Sequence, residues 1–218
     1  MPLATHIVMG NFMDIAAVKN LAYELIGNKE EKPHGVGYRL AHGYRVGLIS
    51  EWLAHELGES DDLLFVAGIL HDIGKDKEAH PEDDGVMHGP RGAEIIRTRF
   101  IHYMCVDEMQ RIATMVENHN ARPKSKWFID KEKPNLPTEV LIIQDADLLD
   151  HFGEEGINIT LNWGRFFKKT REQILKEWKY GERVARMHEE VRRSLNFDIS
   201  VKEFDRRIKI MQEYFARF

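Results

Sequence analysis

LLFVAGILHDIGK, residues 63 to 75, runs through eight apolar or small residues and then ends on a histidine beside an aspartate. An unbroken apolar run of this length reads as an element buried on all sides. An imidazole and a carboxylate at its end are costly unless something neutralises them. The neighbouring segments give the element its type. In NFMDIAAVKNLAYELIG (11–27) and YRLAHGYRVGLISEWLAHELG (38–58) the apolar residues recur at steps of three and four, and the second segment closes on Gly58, where a helix C-cap is expected. The same period predicts helices at about 61–72, 90–103, 106–119, 137–151, 165–194 and 200–216. The one β-compatible run, VLIIQ (140–144), lies inside a helical pattern, whereas 76–89 and the proline-rich 122–137 read as loops. The expectation is an all-α helical bundle, a single domain over residues 1–218 with 155–218 packed on it as a carboxy-terminal helical extension.

A chain of 218 residues with 43% hydrophobic and 31% charged residues can bury a sizeable core. Its net charge of −5 leaves no electrostatic footprint for duplex nucleic acid or an anionic membrane, so neither is an expected partner. Cys105 is the only cysteine, which rules out an intramolecular disulfide and a thiolate-based metal site. With no apolar run near spanning length and no leader-like amino terminus, a soluble cytoplasmic protein is expected.

The histidines make the chemistry specific. His42 shares a helix face with Tyr38, Val46, Ile49 and Leu53, and His119 shares one with Met109, Ile112 and Val116. Either alone reads as a packed core histidine. Together with His71 and Asp72, three helices would each deliver an imidazole inward, and such a set calls for a cation or a shared proton network. TEVLIIQDADLLDHFG (138–153) adds Asp145, Asp147 and Asp150. Asp145 lies on a face with Leu141, Leu148 and Leu149, and Asp147 on one with Val140, Ile143 and Asp150, so periodicity does not choose between them. Asp150 reads most easily as a solvated position.

HGYRV (42–46), HDIGK (71–75) and QDADLLD (144–150), in that order, resemble the H…HD…D signature of the HD superfamily of metal-dependent phosphohydrolases, over about residues 38–152. The resemblance implies an all-α bundle and a divalent ion held by His42, His71, Asp72 and Asp147, the last chosen by the family's AD-x-L pattern. Leu148 stands where the family carries an arginine. GVMHGPRGAE (85–94) resembles the family's HxxxGA element and MVENHN (115–120) its IxxHH element, with Asn120 replacing the second histidine. His88 and His119 are thereby implied as ligands of a second metal or as a catalytic acid facing the substrate.

A ligand set of imidazole and carboxylate suits Mn²⁺, Fe²⁺, Co²⁺, Ni²⁺, Zn²⁺ or Mg²⁺. Such an ion serves hydrolysis of a phosphate ester or anhydride. The expected substrate is a small phosphorylated molecule, by preference a nucleotide, cleaved by a phosphatase or pyrophosphohydrolase. Two alternatives stay open: a two-metal phosphodiesterase acting on a cyclic or linear nucleotide, and a non-catalytic nucleotide-binding regulatory module. Candidate phosphate contacts are Lys75, Arg45, Arg91 and Lys124, the last in the basic run ARPKSK (121–126) with Arg122 and Lys126. Trp127, Trp163, Trp178, Phe166 and Phe167 could line a base-stacking pocket or the surface of a homodimer, with buried core expected for most of them.

Overall fold

The structure, a computed structural model, describes residues 13–59, 62–75, 87–121 and 135–217. Among them are ten α-helices: α1 (Ile15–Ala22), α2 (Tyr38–Glu56), α3 (Leu63–Leu70), α4 (His88–Arg99), α5 (Val106–Asn118), α6 (Thr138–Asp150), α7 (Glu154–Phe166), α8 (Arg171–Tyr180), α9 (Glu182–Ser194) and α10 (Asp198–Ala216). The only sheet among the described residues is a ribbon pairing Glu30–Glu31 with Gly35–Val36. The all-α expectation holds.

The apolar run is the centre of the bundle. α3 buries Leu64, Val66, Ala67, Ile69 and Leu70 completely, against α2, α5, α6 and α1. Its closest neighbour is α2, and the approach is backbone to backbone. A Cβ on Gly68 would lie 2.4 Å from the Cα of Gly47, so only glycine lets the two helices touch there. This contact sets His42 of α2 beside His71, their ring centroids 4.9 Å apart. α2 ends as expected: Gly58 adopts φ +73° and Glu59 N–H reaches back to the Ala54 carbonyl at 2.9 Å.

The expected single helix at 165–194 is instead the end of α7 followed by two separate helices, α8 and α9. Lys168 turns into the left-handed region at φ 54°, and Lys169 N–H closes α7 on the Gly164 carbonyl at 2.9 Å. Thr170 then opens α8 through a capping box with Gln173, and Gly181 separates α8 from α9. α10 returns across α2, α6, α7 and α8.

The aromatic expectation is overturned for three rings. Trp163, Phe166 and Phe167 are exposed at the end of α7, while Trp178 is half-buried and packs on Phe215 at 4.7 Å. Trp127 lies outside the described residues.

Candidate metal centre

Each imidazole of the centre is aimed by the atom behind it. His71 sits in the turn directly after α3, where its Nδ1 lies 2.7 Å from the Gly68 carbonyl. His119 follows α5, with Nδ1 2.6 Å from the Val116 carbonyl. A carbonyl only accepts, so Nδ1 carries the hydrogen in both and the Nε2 lone pair points the other way. His42, one turn into α2, turns Nδ1 to Asp150 Oδ2 at 2.7 Å. All three rings, with His88 at the start of α4, are nearly inaccessible.

The freed atoms converge. His42 Nε2 lies 3.2 Å from Asp147 Oδ1, and His71 Nε2 lies 3.6 Å from the same oxygen and 3.5 Å from Asp72 Oδ1. On the far side, Asp72 Oδ1 lies 3.3 Å from His88 Nε2 and 3.6 Å from His119 Nε2, which are themselves 2.8 Å apart. Two groups of mutually close donors result, His42–His71–Asp147 and His71–Asp72–His119. His71 Nε2 and Asp72 Oδ1 are buried without a hydrogen-bond partner. A divalent cation with ligand bonds of about 2.0–2.2 Å satisfies both atoms, so the residues fit the ion.

The electrostatics agree. Burial opposes the charge on Asp72, yet Lys75 and the surrounding imidazoles hold its carboxyl well below the usual range. Burial likewise opposes a proton on His42, but Asp147 and Asp150 outweigh it and lift the imidazole to about 9. Without a cation, a proton therefore takes up part of the negative charge. His119 goes the other way: burial, reinforced by its imidazole neighbours, lowers it to about 4, so it is neutral.

The remaining site residues fall in different places. Lys75 Nζ donates to Asp72 Oδ2 at 2.6 Å, and Arg91 Nε donates to the Gly74 carbonyl at 3.1 Å. Arg45 turns Nε and an NH2 group onto Asp150, at 2.8 and 2.9 Å, so those donors are not aimed at a ligand. Lys124, with Arg122 and Lys126, lies outside the described residues. Asp150 is not solvated; it is 1% exposed and bridges His42 and Arg45. Asp145 is fully buried and accepts from the backbone N–H of Asn196 at 2.9 Å and of Phe197 at 3.2 Å, away from the centre. His151 escaped the sequence reading altogether. Its Nδ1 bonds the Asp147 carbonyl at 2.8 Å and its ring meets His42 at 5.1 Å, a position signalled only by its four-residue spacing from Asp147.

A helical bundle that converges imidazoles and carboxylates on buried, unpartnered atoms defines a centre for a divalent metal ion. The chain belongs to the HD domain family, which matches residues 39–151. Solved structures share the fold over nearly the whole chain. A predicted HD superfamily hydrolase from an uncultured Thermotogales bacterium is 17% identical with a TM-score of 0.62, over 96% of this chain and 94% of that one. YpgQ of Bacillus subtilis, in complex with ADP, is 14% identical with a TM-score of 0.60, over 93% and 91%. An HD-superfamily hydrolase from Bacillus thuringiensis is 16% identical with a TM-score of 0.59, over 93% of each chain. No curated protein matches the sequence.

Proposed function

We propose that the protein hydrolyses a phosphate ester or anhydride of a small molecule, a nucleotide, using one divalent cation held by His42, His71, Asp72 and Asp147. The observation that carries this reading is the pair of buried, unpartnered atoms, His71 Nε2 and Asp72 Oδ1, facing each other at 3.5 Å among further lone pairs. When bound, the cation supplies Lewis-acid polarisation of a phosphoryl oxygen and lowers the pKa of a coordinated water.

The protein's own groups divide the remaining work. His119 is neutral, and its Nδ1 hydrogen is committed to Val116, so the proton between the two histidines belongs to His88 Nε2. When Nδ1 of His88, which has no partner, also carries a proton, the imidazolium can pass the Nε2 proton to a leaving oxygen and end as the neutral ring, which makes His88 the general acid and His119 the group that orients it. Lys75 keeps two N–H donors beyond the one on Asp72, and these suit a phosphate oxygen. With Oδ2 held by Lys75, Asp72 would offer Oδ1 to a cation, which supports the reading of one ion. The ADP complex of the fold relative YpgQ supports a nucleotide as substrate.

The test is a panel of nucleoside mono-, di- and triphosphates and cyclic dinucleotides with Mn²⁺, with Asp72→Ala as control. At least one member should release phosphate or pyrophosphate with the parent protein and stay at background with the variant. Equal rates from both would leave a nucleotide-binding module. Metal analysis should give one ion per chain; two would return the phosphodiesterase reading.

A further inference from the structure

Three large rings stand in water at the end of α7. Trp163, Phe166 and Phe167 are 40%, 50% and 60% exposed. They touch one another, with centroid separations of 5.8, 5.4 and 5.3 Å, and Trp163 lies parallel to Phe167 within 15°. Single exposed apolar residues are ordinary, whereas a contiguous patch of them marks an interaction.

The patch is joined to the metal centre by further rings. The edge of Trp163 meets His34 at 6.0 Å, His34 stacks on Tyr38 at 4.1 Å and 21°, and Tyr38 lies parallel to His42 at 6.0 Å and 2°. Three ring-to-ring steps therefore connect a metal-facing imidazole to an exposed indole. The rings lie in WGRFFKK (163–169), where Lys169 is paired with Glu177 while Arg165 and Lys168 flank the rings, and these two cations favour an anionic ligand. A second copy of the chain fits less well. Rings of this size carry about 150–250 Å² each, so the exposed part of the three is roughly 300 Å². A stable interface needs about 800 Å² per partner. The patch is too small for that and large enough for one heterocycle.

We propose that Trp163, with Phe167 and His34 beside it, seats the planar heterocycle of the phosphorylated substrate. This rests on the phosphohydrolase reading and assigns the end of the substrate that the metal centre does not touch. A ring bound by its faces is read by stacking, which every base supplies, so purine and pyrimidine nucleotides should be accepted alike.

The experiment compares kcat/KM for ATP with that for inorganic tripolyphosphate, which carries the anhydride without a ring. In Trp163→Ala the ratio of the two should fall roughly 5- to 150-fold, through KM, and Trp163→Phe should restore most of it. Phe167→Ala, at a still more exposed position, should move the ratio the same way by less. ADP binding, measured by calorimetry with Mn²⁺, should weaken in parallel. A ratio unchanged in Trp163→Ala overturns the seat and leaves the phosphohydrolase standing. ADP binding that depends on Trp163 in a protein that releases phosphate or pyrophosphate from no member of the nucleotide panel keeps the seat and removes the phosphohydrolase. A dimer that Trp163→Ala converts to monomer, seen by light scattering, gives the patch to a second copy and overturns the proposal.

Discussion

His71 and His119 are aimed by carbonyls three residues back along their own helices, a local arrangement that follows from their place at a helix end. His42 is aimed by Asp150, 108 residues away, and nothing near His42 in sequence announces it. Removing the carboxylate's charge weakens its hold on the ring, and the cost of disturbing such a partner is typically 10–100-fold in metal affinity. Asp150→Asn should weaken Mn²⁺ binding by about that factor in calorimetry, while the fold, read by circular dichroism, is retained. The same side chain sets a pH dependence. His42 in the metal-free protein is lifted to about 9, so below that pH a proton must leave before the cation enters. Affinity should therefore rise with pH by up to about tenfold per unit and level off above about 9. Asp150→Asn removes one of the two carboxylates that raise His42, which should bring the plateau to lower pH. A flat affinity between pH 6.5 and 9 would contradict the assignment.

At the scale of elements, close backbone approach does what side-chain chemistry cannot. Gly68 against Gly47 brings α2 onto α3, and a Cβ on Gly74 would fall 2.1 Å from the His88 carbonyl, where α4 begins. The glycine of HDIGK is thus the place where the α3 turn meets α4 and delivers His88 to Asp72. Gly68→Ala should destabilise the protein by about 1–3 kcal/mol in urea unfolding and weaken metal binding as well, because His42 and His71 are forced apart. Unchanged metal affinity in a destabilised Gly68→Ala would separate the helix contact from the site. The helices themselves were largely readable from period three to four. The break at 167–170 was not, because Lys168 is an ordinary helix residue by type and takes its left-handed conformation only in the finished turn. The capping box of Thr170 and Gln173 was the available signal.

Across the whole molecule, Asp145 ties the family core to the carboxy-terminal helices. Burial raises its pKa, and the N–H groups of Asn196 and Phe197 and the Asn196 side chain work against that without cancelling it. Asp145→Ala leaves those donors without their acceptor at the entry to α10 and should cost about 2–4 kcal/mol, measured by thermal or urea unfolding. A loss under about 0.5 kcal/mol would show that α10 is held by its apolar face, Phe204, Met211 and Phe215, alone.

The sequence by itself determined that the chain is helical, that LLFVAGIL is its buried centre, and that His42, His71 and Asp72 arrive there together, since periodicity and the charge at the end of an apolar run are local properties. Only the tertiary structure decided the fates of Asp145, Asp147 and Asp150: the first on backbone N–H groups, the second among imidazoles, the third between His42 and Arg45. A buried carboxylate is balanced equally well by a cation, a guanidinium or a pair of amides, and these read the same along one helix. Which balance applies depends on what the neighbouring helices bring, and hence on how closely those helices pack.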